Sequence, residues 1–412
     1  MKYWLMILIL IPALVLAGCT SPAANATTES QAADTASASP TSEPTLPPTA
    51  TPEPTVEPTP EPSPTSPPPV QWMAYIGRDG NLHLLELISG ERRQMTTDAA
   101  APSPSNSGNA IQYCCAQWSS DGQFLAYKRD VGVPMGDGYQ YTYELWVHNF
   151  TNNTPVRLYE NLPLAGLSWK PLSHLLTYAI APEAEYFARR GGVDSSLAKG
   201  IWATDMDTTQ NSELVTPQNG FSLANPLWSR DGRLVAFEEI AYYEGRGNFA
   251  YYDFEAAEYI PWDEPIGFVD WSPDSQTLAY DTLTYTPRGD ERIFLRPRLG
   301  ADAQQLSPDY ELGYAFWPRF SPTGEQMAYL AEIGAFESMQ YTLFVQPIAG
   351  GEARSLGVFS SAQNLSWLPD GSGLILATGA YEARQVIHVS LADGTVNTLA
   401  EGDSPALLPL AP

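Results

Sequence analysis

From residue 71 onward, short runs of alternating apolar and polar residues recur, each bounded by a turn signal. Trp271 ends one such run, and Leu278-Ala279-Tyr280 begins the next. Between them, Ser272-Pro273-Asp274-Ser275 reads as a tight turn: Pro273 presets φ, and Asp274 can bond its own backbone two residues on. A third apolar run follows in most units, such as Glu144-Leu145-Trp146-Val147 or Val386-Ile387-His388-Val389, then a short fourth such as Val156-Arg157-Leu158. Period-two patterning with frequent turn residues predicts short antiparallel strands, four to a unit.

The unit repeats. Trp118-Ser119-Ser120-Asp121-Gly122 precedes Leu125-Ala126-Tyr127, and Trp228-Ser229-Arg230-Asp231-Gly232 precedes Val235-Ala236-Phe237. Phe320, Trp367 and a worn copy at Trp169 open further units. The intervals are roughly 40–60 residues, near the period of propeller blades. The ends complete the pattern. Trp72-Met73-Ala74-Tyr75-Ile76 matches a second strand that lacks a first, and Ser404-Pro405-Ala406-Leu407-Leu408 supplies a first strand that lacks a second. The expected fold is all-β. It is a seven-bladed β-propeller, with six or eight blades as alternatives, whose closing blade is shared between the two ends so that no sheet edge is left open.

These motifs resemble the TolB-like family of β-propellers, whose repeats carry the Trp-Ser-Pro-Asp-Gly and Leu-Ala-Tyr pattern. The resemblance covers about residues 71–412 and implies the propeller fold. Similar blades occur in periplasmic scaffold proteins and in the substrate-gating domain of prolyl-oligopeptidase-like peptidases. No G-x-S-x-G nucleophile elbow occurs here, so the hydrolase half of such peptidases is not expected.

Upstream, residues 1–18 read as an export signal: Lys2 precedes a run from Trp4 to Ala17 that is nearly all apolar and short for a membrane span. Leu16-Ala17-Gly18-Cys19 resembles the bacterial lipobox, which implies cleavage before Cys19 and a lipid on its thiol. An ordinary secretory signal is the alternative. Residues 19–70 are rich in Pro and Thr, with repeated Thr-Pro-Glu-Pro phrases and no aromatic residue. Such a segment cannot bury a core and is expected to be a disordered spacer. The expected location is therefore the bacterial cell envelope, on the extracytoplasmic face, with the bilayer as partner through Cys19.

Charge narrows the partner class. The chain carries −26 at pH 7, which argues against nucleic acid and suits solubility or a cationic partner. Chemistry is sparse. His83, His148, His174 and His388 show no metal-ligand spacing, and neither a cofactor nor a catalytic residue is expected. Asp121-Gly122 and Asp231-Gly232 read as turn formers. Cys114 and Cys115 are adjacent on a first strand: either a vicinal disulfide or two buried thiols.

Loop length is the remaining signal. In a four-stranded blade, the loops joining second to third strands share one face with the blade-to-blade connections. The other two turns share the opposite face. The first face carries the insertions: Val131 to Gly138, Glu183 to Gly192, Glu238 to Gly247, Tyr285 to Arg292, Glu332 to Tyr341 and Tyr381 to Arg384. Long loops on a rigid scaffold concentrate binding residues. Tyr186, Phe187, Arg189, Arg190, Glu238, Tyr242, Tyr243, Tyr285, Phe336 and Tyr381 are the candidates, for an envelope protein, peptide or glycan; capping of strand ends is the alternative role. A glycan hydrolase or lyase using carboxylates such as Glu238 and Glu239 is the rival function, although adjacent strand residues point to opposite faces.

Overall fold

The computed structural model describes residues 71–103, 108–136, 138–161, 163–180, 199–218, 221–240, 248–262, 266–282, 291–298, 302–310, 313–334 and 340–409. The export signal, the spacer and Cys19 lie outside the described residues, as do Tyr186, Phe187, Arg189, Arg190, Tyr242, Tyr243, Tyr285 and Phe336. Among the described residues there is no α-helix; the strands form five four-stranded sheets and one seven-stranded sheet.

Each four-stranded sheet is one sequence unit. Its first strand ends on the repeated aromatic, as in Ala110–Trp118, Leu164–Trp169, Ser222–Trp228, Ile266–Trp271 and Gly313–Phe320. The aromatic is buried against the neighbouring sheet, and its ring nitrogen explains why tryptophan recurs. Trp118 Nε1 donates to Ala406 O (3.1 Å), Trp169 Nε1 to Gln117 O (3.0 Å) and Trp367 Nε1 to Arg319 O (2.9 Å). All three acceptors sit at the equivalent place, one residue before the preceding unit's last first-strand position. Each of these three tryptophans thus fills the core and ties its sheet to the one before; Trp228 Nε1 reaches Thr177 Oγ1 instead (2.8 Å), and Trp271 Nε1 is buried with no hydrogen-bond partner.

The turn after the aromatic is built as its residues require. Asp121 Oδ1 accepts from Ser119 Oγ (2.7 Å) and from Gln123 N (3.0 Å). Asp231 and Asp274 repeat both contacts. The second strand then buries its Leu-Ala-Tyr: Leu125, Leu278 and Tyr280 are each at most 1% exposed, and burying a side chain of this size contributes about 1.5–3 kcal/mol.

The seven-stranded sheet joins the ends of the chain. Val396–Leu407 pairs through its first half with Gln385–Ser390 and through its second half with Trp72–Gly77, where Met73 faces Leu407. It is the fourth strand of one unit and the first strand of the next.

A regular defect marks the first strands. In all of them the pairing register slips by a bulge, three residues before the repeated aromatic or its equivalent Leu407. Cys115, Gly166, Asn225, Trp317, Asn364 and Ser404 hold that position with positive φ. A bulge leaves a residue unpaired and bends the strand, so these strands turn side chains out of the ladder at one common level.

One expectation is corrected here. Val131 to Gly138, expected as a loop insertion, is mostly strand: Phe124–Met135 and Gly138–Asn149 form one long hairpin. Its β-branched and tyrosine residues favour extended backbone, and the glycines that suggested a loop sit under aromatic rings or at the turn.

Candidate functional site

Two cavities open among the first strands. The larger, about 710 Å³, lies where the chain ends meet. Its walls include the second-to-third-strand loops at Arg78–Gly80 and Tyr381–Arg384, the connection at Ala99–Ala101, and the strand starts at Ile111–Cys114 and Gly402–Ser404. By connectivity all of these belong to the long-loop face. The smaller cavity, about 330 Å³, lies where four first strands converge, and is bounded by Cys115, Gly166, Asn225 and Phe268 at the bulge level.

Cys114 and Cys115 form a vicinal disulfide. Cys114 lines the larger cavity and Cys115 the smaller one, so the bridge stands in the partition between them. The bulge at this point turns two consecutive residues to different cavities.

The residue directly after Leu-Ala-Tyr recurs as a polar contact to the bulge. Glu238 Oε1 accepts from the side chain of Asn225 (3.0 Å). Asp281 accepts from Phe268 N and Trp317 N, each at 2.8 Å. Lys128, at the same place, bonds Asp130 (3.2 Å) and lies 5.1 Å from the Tyr143 ring centre. Burial holds Asp130 above the usual carboxylate range, with Lys128 opposing the shift, and Asp130 Oδ1 has no hydrogen-bond partner.

Of the candidates within the described residues, Tyr381 lines the larger cavity and is 81% exposed, with the Arg384 guanidinium 5.2 Å from its ring centre. Arg384 is also paired with Asp403. Glu238 lines the smaller cavity. Glu239 points the other way: it is buried and accepts from Tyr259 Oη (2.5 Å). Burial and this carboxylate push the Tyr259 phenol up. The two glutamates therefore do not converge on one site. Among the described residues no cluster of His, Cys, Asp and Glu could hold a metal ion.

No family model matches the chain. A 150-residue stretch is 25% identical to dipeptidyl-peptidase 5 of Porphyromonas gingivalis, covering 34% of this chain and 22% of that protein. The match thus spans about a fifth of the curated relative. Among solved structures, a prolyl endopeptidase aligns with a TM-score of 0.56 and 15% identity over 79% of this chain and 46% of its own. Oligogalacturonate lyase of Vibrio parahaemolyticus aligns at 0.54 with 12% identity, covering 80% and 84%. TolB of Acinetobacter baumannii aligns at 0.48 with 14% identity, covering 80% and 79%. The chain is a β-propeller. Such low identities carry the fold and nothing of the chemistry. The alignments to the prolyl endopeptidase and the oligogalacturonate lyase turn the sheets into blades and the converging first strands into the lining of a propeller axis.

Proposed function

We propose that this propeller is a lipid-anchored, extracytoplasmic binding protein that recognises a protein, peptide or glycan on its long-loop face. In this reading it has seven blades, the seven-stranded sheet counting as two, and Cys19 carries the anchor. The observation that supports it best is the 710 Å³ cavity, which is lined by long-loop-face segments alone and carries the exposed Tyr381 at its wall. Concave sites on a rigid scaffold are the usual ligand positions. The glycan-active alternative has less support, because Glu239 is committed to Tyr259.

Photo-crosslinking in intact cells tests the face. A crosslinking amino acid at Tyr381 is expected to capture a discrete partner, and the same residue at Asp370, in a short turn of the opposite face, is not. Capture from Asp370 alone overturns the assignment. The anchor is tested separately: Cys19→Ala is expected to abolish incorporation of labelled fatty acid, and equal label on both forms, or on neither, removes the anchor.

A further inference from the structure

The long hairpin carries a feature that the cavities do not explain. Its two strands have 12 residues each, beyond the 5–8 of the second and third strands in the other sheets. The first strand of its sheet pairs only as far as Gly132, and the fourth strand only as far as Glu144. Among the described residues the tip beyond is two-stranded, with no third strand paired to it, a form that is marginal alone in water. Val133 and Met135, on one side of it, are 49% and 66% exposed.

The other side is a ladder of tyrosines. Tyr139, Tyr141 and Tyr143 alternate along the strand and so share a face. Their ring centres are 6.2 and 6.5 Å apart. Gly132 lies beneath: a Cβ there would meet Tyr141 Cε1 at 2.9 Å and Tyr139 Cδ1 at 3.1 Å. The missing side chain makes room for both rings over the partner strand. The ladder also continues into the candidate site. Lys128 and Asp130 share the face of Gly132 by alternation, and they line the smaller and larger cavity respectively. Ser103 N donates to Tyr139 Oη (2.8 Å), which fixes the outer ring to the connection that walls the larger cavity.

We propose that the tyrosine ladder and the adjoining larger cavity bind a proline-rich, basic peptide in the polyproline II conformation. The proposal rests on the long-loop-face reading above and names its ligand. Three rings in a row span roughly 13 Å, about four residues of polyproline II at 3.1 Å each. That helix has no internal hydrogen bonds, so its carbonyls are free to accept from the site while its proline rings lie on the aromatic faces. It is rigid before binding, which reduces the ordering cost. Charge selects the side chains. The larger cavity is lined by four carboxylates (Asp79, Asp130, Glu382 and Asp403) against two guanidiniums, Arg78 and Arg384; with Lys128 paired to Asp130 from the neighbouring cavity, one negative charge stays in excess. A neutral glycan would stack on the rings but leave this excess unused. The chain's own proline-rich spacer carries acids and no Lys or Arg, so it is not the matching ligand.

Fluorescence polarisation on the full-length chain in detergent tests this. The probe is a labelled peptide of three Arg-Pro-Pro repeats; the comparison peptide replaces each proline by glycine and keeps the charge. The proline form is expected to bind at least roughly tenfold tighter, about 1.4 kcal/mol. Tyr141→Ala and Gly132→Ala are each expected to weaken it at least fivefold, while Tyr141→Phe, which keeps the ring, stays within threefold and shows that the blade is intact. Equal binding of the two peptides reduces the contact to charge and overturns the proposal. So does normal binding by the Ala variants. Absence of peptide binding overturns it too, and a neutral oligosaccharide that binds in its place would assign the ladder to a glycan. Capture from Tyr381 in cells is independent of these outcomes, so failure here leaves the face assignment standing.

Discussion

Deleting residues 404–412 is expected to lower stability by about 4 kcal/mol or more, read as a fall of roughly 5 °C or more in Tm for a domain of this size. The deletion removes the last four residues of Val396–Leu407, the part of the shared strand beyond its bulge, while every other strand remains. Met73 and Ala74 lose their cross-strand partners Leu407 and Ala406, so that half of the Trp72–Gly77 edge is left open while Ile76 and Gly77 keep Asp403 and Gly402. Leu408 N no longer donates to Trp72 O (2.8 Å), and Trp118 Nε1 loses its acceptor Ala406 O, which strands a buried donor. Leu408 also packs against the Trp118 cluster. These losses fall together at the one point where the two ends of the chain hold each other. The truncated protein should also self-associate through the open edge. An unchanged Tm would mean that the C-terminal strand does not close the ring, and would remove the seven-blade count built on it.

The repeat was legible because its signals are local. A tryptophan, a Ser-x-Asp turn and Leu-Ala-Tyr lie within about ten residues, and each acts through neighbours in sequence or through the next unit. The shared closing blade was legible for the same reason, since Met73-Ala74-Tyr75 and Ala406-Leu407 are incomplete copies. The bulges were not read, although the sequence marks them. Pro226, Pro318 and Pro405 stand directly after the bulged Asn225, Trp317 and Ser404, and proline inside a strand belongs at such an unpaired position. Gly166, Asn225 and Asn364 are the residue types that tolerate positive φ. The polar residue after Leu-Ala-Tyr, as in Lys128, Glu238 and Asp281, was another unread signal. The larger cavity had one local signal, the Tyr381 to Arg384 insertion, and its other walls had none. Arg78 and Tyr113 come from one end of the chain, Tyr381 and Asp403 from the other, and only closure brings them together. The long hairpin was misread because Gly132, Pro134, Gly136 and Gly138 interrupt its alternation, and a glycine placed to seat two tyrosine rings looks the same in sequence as a loop glycine.

Asp281→Ala is the point substitution expected to cost most. The side chain is 1% exposed and spans two blades. One carboxylate oxygen accepts from Phe268 N and the other from Trp317 N, both at 2.8 Å. These amides stand at the same bulge level in consecutive first strands. The Phe268 and Trp317 rings stack 4.8 Å apart at 12°, so the carboxylate fixes the backbone from which both rings project. Alanine leaves two backbone donors without this acceptor, at about 1–3 kcal/mol each, for a loss of roughly 2–5 kcal/mol. Asn in the same place keeps one acceptor oxygen and turns an NH₂ toward the second amide. Asp281→Asn should therefore fall between wild type and Asp281→Ala. Urea denaturation gives the ordering through the midpoint at constant m, and the near-ultraviolet circular dichroism of the stacked pair should weaken in step. A midpoint for Asp281→Ala equal to wild type would show that the two amides find other acceptors, and that the carboxylate does not hold the bulges of these two blades in register.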